Sequence, residues 1–348
     1  MLYQAALDLD LEVGFHIRPG DEGIEGWSPR VNVGSFELAS LLDFSAGYDA
    51  ITFEHELVPI ATLLALAEQG VSIRPSATTM ATTADKIQQR TLFDRAGAVS
   101  VPFARYDREL PVTLPAIAKA ATGGYDGRGV LKLETESDLG GLDPSATWMI
   151  EPLLPIEAEL AVVTVSSLAG EVICYPAVRT RQVNGICVEV HWPTGLSPEI
   201  DRKAESEAIA IARAAAVVGV LAVEFFLVGG ELMVNEVAPR VHNSGHLTIE
   251  AARTSQFENH LRAVAGMELG AATMLMPAAM INLIGEVRAS APPVNGARLH
   301  LYGKTPRPGR KIGHLTTVAA DLGEARALAA AAAKELGAAG GGSWGVGG

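Results

Sequence analysis

Residues 123–129 read Gly123-Gly124-Tyr125-Asp126-Gly127-Arg128-Gly129, with Lys119 four positions upstream. Four glycines in seven residues let backbone N–H groups close on phosphate oxygens, and the lysine adds a point charge. A plain hairpin turn needs fewer glycines. Glu224 and Glu236 form a second feature, each set in a run of Val, Phe, Leu and Met that reads as a strand. The runs join through Gly229-Gly230. A three-residue loop, Gly229 to Glu231, puts Glu224 opposite Glu236; a two-residue loop puts it opposite Asn235. Carboxylates about 5 Å apart on an apolar face repel unless a cation lies between them. Mg²⁺ held by two carboxylates and nucleotide phosphates meets that need.

Just after the second strand comes Arg240-Val241-His242-Asn243-Ser244-Gly245-His246. A cation, two imidazoles, an amide and a hydroxyl in one loop suit a small oxyanion such as bicarbonate or a carboxylate, although Asn243 and Ser244 could also serve as helix caps. A basic island follows. Between Val287 and Ala320 there is no acidic residue, while Arg288, Arg298, Lys304, Arg307, Arg310 and Lys311 all fall there. Residues 304–311 read as a second phosphate pocket, for a substrate phosphate. A solvated basic loop is the commoner fate of such a run, and thin aromatic interleaving argues against nucleic acid. Cys174 and Cys187 read as small apolar side chains, and His16 and His55 carry no pattern that assigns them a role.

These groups need a scaffold. Alternating helices (1–8, 60–69) and apolar runs (12–17, 50–53, 71–73) predict a parallel α/β layer at the start. A helix is predicted over 83–96, ending at Gly97. Strands are predicted at 101–106, 116–120, 130–134, 148–151, 158–166 and 172–178, a β-rich middle. A helix over 198–218 leads to the strands at 220–228 and 231–237 that carry the two glutamates. Helices at 256–265 and 323–336 flank a buried strand near 280–284. In all, 348 residues with 48% hydrophobic content supply ample core for two or three domains. The net charge of −13 disfavours general nucleic-acid binding, so any anionic ligand needs a local basic pocket. Two cysteines make neither a disulfide framework nor a zinc site, which fits a reducing cytoplasm. The opening residues lack a signal peptide's basic region, and the longest uncharged stretch, 269–285, falls short of the ~20 apolar residues a membrane span needs.

Taken in order, these features resemble the ATP-grasp ligases, and among them the 5-(carboxyamino)imidazole ribonucleotide synthase family. The strings that carry the resemblance are Ile51-Thr52-Phe53-Glu54, residues 122–129, Asn235 to His246, Ser255-Gln256-Phe257-Glu258, and Arg307 to His314. Formate-dependent transformylases and biotin carboxylases share the fold and the metal pair but not this combination of loops. The resemblance implies a mixed α/β ATP-grasp fold. Residues 1–82 would be a doubly wound pre-ATP-grasp domain, 83–270 the ATP-grasp domain with a lid at about 107–160, 271–337 a small β-rich C-terminal domain, and 338–348 a tail. Family members open with a strand and a Gly-rich loop. The sequence starts at the equivalent of that loop's last residue, so the first strand is expected to be missing and stability and substrate binding reduced.

For the site, the resemblance implies that Lys86 and Lys119 contact ATP phosphates beneath the loop Gly124, Tyr125, Asp126, Gly127, Arg128 and Gly129. Glu151, Pro152, Leu153 and Leu154 would form the adenine hinge, with Glu159 on the ribose hydroxyls. Gln182 stands where a His is common near the nucleotide. Glu224 and Glu236, with Asn235 beside them, would hold Mg²⁺. Arg240, His242 and Asn243 would surround bicarbonate and the carboxyphosphate made from it. Asp126 would take the proton of the substrate amine, and Tyr125, Arg240, Lys304, Arg310 and Lys311 would bind aminoimidazole ribonucleotide. A cytoplasmic homodimeric ligase of purine biosynthesis is the implied function. The alternatives are a weakly active or inactive nucleotide-binding homologue, or another ATP-grasp ligase such as a formate-dependent glycinamide ribonucleotide transformylase.

Overall fold

The structure is a computed structural model that describes residues 1–24, 28–107, 113–123, 129–287 and 296–338. The chain begins with α1 (Leu2–Asp8), β1 (Phe15–Ile17), β2 (Val31–Val33), α2 (Leu38–Ser45) and α3 (Ile60–Glu68). β1, the end of the run expected at 12–17, pairs in parallel with β2, a strand for which the sequence carried no expectation. The apolar runs at 50–53 and 71–73 make only one parallel bridge, Ile51 to Ile73, in place of the expected strands. Phe53, Leu63 and Leu66 pack with Met80 of α4 (Ala77–Ala84) to form the core of this layer.

One helix over 83–96 was predicted, and the structure breaks it in two. The backbone turns extended at Asp85, whose carboxylate accepts from the N–H groups of Ile87 and Gln88 and so caps α5 (Lys86–Ala96). The preceding threonines are β-branched, and Thr83 bonds back to the Thr79 carbonyl, which weakens continuation. Lys86 therefore becomes the first residue of a capped helix. Its N–H reaches the Ala121 carbonyl at 2.8 Å.

A small antiparallel sheet follows, built of β3 (Ala104–Arg105), β4 (Ala116–Ala120), β5 (Val130–Leu133) and β6 (Trp148–Pro152) in the order β3-β6-β4-β5. The strand expected at 101–106 shrinks to β3. Ala116, Ala118, Leu133, Trp148 and Ile150 form its own core. The remaining elements are β7 (Ala158–Ser166), β8 (Val172–Cys174), β9 (Val178–Val183), β10 (Ile186–Trp192), α6 (Pro198–Ala214), β11 (Gly219–Val228), β12 (Glu231–Ala238), α7 (Thr248–Ala251), α8 (Gln256–Ala265), β13 (Ala278–Ile284), β14 (Arg298–Leu301), β15 (Lys311–Val318) and α9 (Leu322–Glu335). The run 172–178 is thus interrupted, and β9, β10, β14 and β15, like β2 earlier, are strands that the sequence patterning did not reveal.

Among the described residues these strands make one antiparallel sheet of nine, ordered β12-β11-β7-β9-β10-β13-β15-β14 with β8 on β7. Both faces are covered, so its central strands are near-continuous apolar runs. On one face Ala161 and Val163 meet Leu2 and Ala6 of α1 and Phe257 and Leu261 of α8. On the other, Leu160, Val162 and Phe225 meet Leu92 and Phe93 of α5 and Ala208 and Ile211 of α6. At the far edge α9 buries Ala325, Ala329, Ala332 and Ala333 on β13 and β15. The C-terminal strands therefore extend the central sheet through the β10–β13 pairing.

Candidate active site

One open cleft of about 2200 Å³ is lined by all three parts of the molecule. Its acidic wall comes from β11 and β12. Their turn has two residues, Gly229 and Gly230, both with positive φ (58° and 78°), because Val228 pairs directly with Glu231. The three-residue loop is thus corrected. On turn geometry alone Glu224 would then face Asn235. A β-bulge between Glu224 and Phe225 shifts the register by one, and Glu224 pairs with Glu236 after all. The bulge re-aims the pair at the site.

The two carboxylates carry different proton loads. Burial, together with repulsion from Glu236 and Glu159, pushes the Glu224 carboxyl up to about 7. Burial also opposes ionisation of Glu236, but the ammonium groups of Lys86 and Lys119 outweigh it and hold its carboxyl well below the usual range. Lys86 is in direct contact with Glu236. Lys119 lies 2.6 Å from Glu151 and donates to Asn235 Oδ1 at 2.9 Å. Burial lowers the Lys119 ammonium against the pull of Glu151. Arg90, 2% exposed and unassigned in the sequence reading, also pairs with Glu151. Among the described residues no set of three His, Cys, Asp or Glu could hold a metal. Two facing carboxylates with an amide beside them suit a hard cation that takes its remaining ligands from phosphate and water.

Pro152, Leu153 and Leu154 line the cleft beside Glu151. Glu159 lies opposite on β7, and burial pushes its carboxyl up to about 7 against a hydrogen bond from Gln182. Gly124, Tyr125, Asp126, Gly127 and Arg128 lie outside the described residues, as do Arg288 and positions 339–348 of the tail. Gly129 is described: its carbonyl accepts from Ala120 N–H at 2.8 Å.

The 240–246 loop leaves β12 along the cleft wall. Arg240 Nε is 2.8 Å from Glu56 Oε2. His242 places Nε2 3.5 Å from Glu224 and Nδ1 2.9 Å from Ser244 Oγ. Asn243 lines the cleft beside them. The opposite wall is basic, with Lys304, Arg307, Arg310 and Lys311 all lining the cleft. Arg298 is not part of it and lines a separate pocket with Glu250 and Thr316. Sequence reading missed the acid that serves this wall. Glu22 accepts from Thr305 N–H at 2.7 Å and from Arg310 at 2.9 Å, and those contacts hold its carboxyl low. Glu54 and Glu56 were also unassigned. Both follow Ile51, whose single bridge to Ile73 is parallel, on the carboxyl side where α/β layers place ligand groups.

A divided acidic and basic cleft between a small antiparallel sheet and a large one defines an ATP-grasp enzyme. Residues 106–257 match the family model of the ATP-grasp domain, and residues 278–328 that of the phosphoribosylaminoimidazole carboxylase C-terminal domain. The N5-carboxyaminoimidazole ribonucleotide synthase of Mycobacterium tuberculosis is 36% identical, covering 93% of this chain and 82% of the relative. That of Synechococcus elongatus is 35% identical over 80% and 76%. The crystal structure of the Thermus thermophilus N5-carboxyaminoimidazole ribonucleotide synthetase superposes with a TM-score of 0.85 at 37% identity, covering 97% of this chain and 95% of that one. The Aspergillus clavatus synthase, solved with ADP and 5-aminoimidazole ribonucleotide, superposes with a TM-score of 0.85 at 29% identity over 94% and 93%. The chain belongs to the N5-carboxyaminoimidazole ribonucleotide synthase family of ATP-grasp ligases.

Proposed function

We propose that the chain uses ATP and bicarbonate to carboxylate the amine of aminoimidazole ribonucleotide, giving 5-(carboxyamino)imidazole ribonucleotide for purine biosynthesis. One observation carries the reading. The register shift that pairs Glu224 with Glu236 sets them beside His242, on the same cleft as the cations Lys304, Arg310 and Lys311. A formate-dependent transformylase, the nearest alternative in class, is disfavoured by the relatives, whose names agree on the synthase.

ATP lies between the two sheets, with Lys86 and Lys119 turning from their carboxylates to the phosphates. Pro152 to Leu154 and Glu159 enclose the nucleoside. Glu224, Glu236 and Asn235 are the residues that would hold Mg²⁺, which when bound neutralises charge on the phosphates. The γ-phosphoryl passes to a bicarbonate oxygen, giving ADP and carboxyphosphate. Arg240, His242 and Asn243 hold that anion and supply donors where charge gathers. Carboxyphosphate releases CO₂ and phosphate, the substrate amine attacks CO₂, and Asp126 takes the amine proton. Lys304, Arg310 and Lys311 hold the ribonucleotide phosphate, so that the amine meets CO₂ in place. Asp126 belongs to the loop outside the described residues, and its role rests on family membership. So does a homodimer. The two free thiols, both pushed up by burial, fit a cytoplasmic setting; among the described residues no helix is long and apolar enough to cross a membrane.

The test is phosphate release with ATP, varied in turn with bicarbonate plus aminoimidazole ribonucleotide and with formate plus glycinamide ribonucleotide. Release that needs bicarbonate and the aminoimidazole substrate together is expected. Turnover with the formate pair alone would replace the assignment.

A further inference from the structure

Two buried amides have no role in the chemistry above, yet both end on the loop that holds His242 and Asn243. Asn282 is 2% exposed on β13, a strand otherwise made of Ala, Met, Ile and Leu. A polar amide at such a position is costly unless it is fully bonded, and this one is. Its Nδ2 donates to the Cys187 carbonyl at 3.0 Å and to Asn243 Oδ1 at 2.6 Å, and its Oδ1 accepts from Asn243 Nδ2 at 2.8 Å. The Cys187 carbonyl can only accept, so it fixes which end of the Asn282 amide is nitrogen. Asn282 in turn fixes which end of the Asn243 amide is nitrogen. One Asn243 N–H hydrogen is left over for the cleft.

Gln256 does the same for the main chain one residue earlier. It is fully buried at the start of α8, a helix capped by Ser255. Its Oε1 accepts from His242 N–H at 3.0 Å, and its Nε2 donates to the His242 carbonyl at 2.7 Å and to His246 Nδ1 at 2.9 Å. The loop passes so close that a Cβ on Gly245 would lie 2.5 Å from Gln256 Oε1.

We propose that Asn282 and Gln256 are positioning residues of the carboxylation step, holding the Asn243 amide nitrogen and the His242 peptide in the one orientation that meets bicarbonate. The inference rests on reading the 240–243 loop as the bicarbonate site. Released from Asn282, the Asn243 amide is free to turn over and offer its carbonyl oxygen to an anion. Two elements thus brace one loop, Gln256 from α8 and Asn282 from a strand of the C-terminal region.

Steady-state kinetics on the whole chain test this, with bicarbonate, ATP and aminoimidazole ribonucleotide each varied. Asn282→Leu keeps the branched side-chain shape, with somewhat more bulk, and removes the amide. Asn282→Asp keeps an acceptor and loses both donors, and it serves if the leucine variant folds poorly. Gln256→Met probes the second clamp. Each variant is expected to raise the KM for bicarbonate by about ten- to a hundredfold, with the KM for ATP within about twofold of wild type. In an Asn243→Ala background, Asn282→Leu should add nothing further to the bicarbonate KM, because it acts through Asn243. Equal changes in both KM values, or additive effects in the double variant, would show a merely structural role and overturn the inference. So would unchanged kinetics in the Asn282 and Gln256 variants of an active enzyme. A wild-type chain with no bicarbonate-dependent turnover would overturn the functional reading and this inference together.

Discussion

Glu224 and Glu236 are chemically identical side chains whose carboxyls are shifted in opposite directions by their neighbours. Glu224 is raised to about 7 by burial and by the facing carboxylate, while Glu236 is kept ionised by Lys86. A cation shared by both needs both deprotonated, so binding of Mg²⁺ with nucleotide should release a proton from Glu224 near neutrality. Affinity for Mg·ADP should then weaken by up to about tenfold per pH unit below about pH 7 and level off above it. Calorimetry between pH 6 and 8 reads this directly; a flat profile would remove Glu224 from the metal site. Glu224→Gln should bind weakly at every pH, and Glu236→Gln should lose turnover while keeping its melting temperature. On the opposite wall, Lys304→Ala should raise the half-saturating concentration of the ribonucleotide far more than that of ATP, since a charge-assisted phosphate contact is worth about 1.5–3 kcal/mol. Comparable shifts in both would move Lys304 out of the substrate pocket. The glutamate pair and the basic run were legible because each is dense in type and short in span. Glu22 was not, because it meets Arg310 across 288 positions of sequence and nothing local marks such a contact.

At the scale of elements, what could be read were runs whose burial is uniform. β7, β11, β12 and α8 fall almost where the apolar patterning puts them, since both faces of the sheet are covered. β9 escaped notice because Val178–Val183 has apolar residues only at its two ends, with arginines, a threonine and a glutamine between, and β10 because Glu189 and His191 interrupt its apolar run. The turn between them, Asn184-Gly185, has φ of 51° and 74° and was the available hairpin signal. β15 was hidden differently, because its first residue, Lys311, and the loop before it read as a phosphate pocket. The break at Asp85 is the clearest case of local chemistry overriding pattern, and it sets Lys86 against Glu236. Asp85→Ala should remove the acceptor of two N–H groups and cost about 0.5–2 kcal/mol of stability. Because the cap also orients Lys86, the KM for ATP should rise while that for the ribonucleotide stays put. Thermal melting and kinetics together check this. A stability loss with an unchanged ATP KM would mean that Lys86 is oriented by the Ala121 carbonyl and Glu236 alone.

Across the whole molecule, the site depends on the C-terminal region staying docked, because its strands bring in both Asn282 and the basic wall. Backbone pairing of β10 with β13 supplies part of that docking. An ion cluster around one buried carboxylate supplies another part. Glu189 on β10 is 1% exposed, and its carboxylate meets Arg326 of α9 at 3.0 Å, Arg181 of β9 at 3.3 Å and His191 at 3.5 Å. Burial alone would raise the Glu189 carboxyl, but His191, Arg326 and Arg181 outweigh it and hold it below its ordinary value. A carboxyl depressed in the folded state adds stability that is complete above its unfolded value, about 4.3, and is lost as pH falls through the folded value. Arg326→Leu should therefore lower the melting temperature by a few degrees at pH 7, and the deficit should shrink below about pH 4, where wild type loses the same interaction. The cost should stay near 1–2 kcal/mol, because Arg326 is partly exposed and Arg181 remains on the carboxylate. Glu189→Gln should show the same pH dependence. The deficit should also appear in function: with the C-terminal strands less firmly held, ribonucleotide affinity should fall before nucleotide affinity as temperature rises. Melting curves at pH 7 and at about pH 3, below the unfolded carboxyl value, paired with both ligand titrations near the transition at pH 7, decide it. A deficit that is equal at the two pH values would mean that α9 is held by its alanine face on β13 and β15, with the ion cluster a passenger.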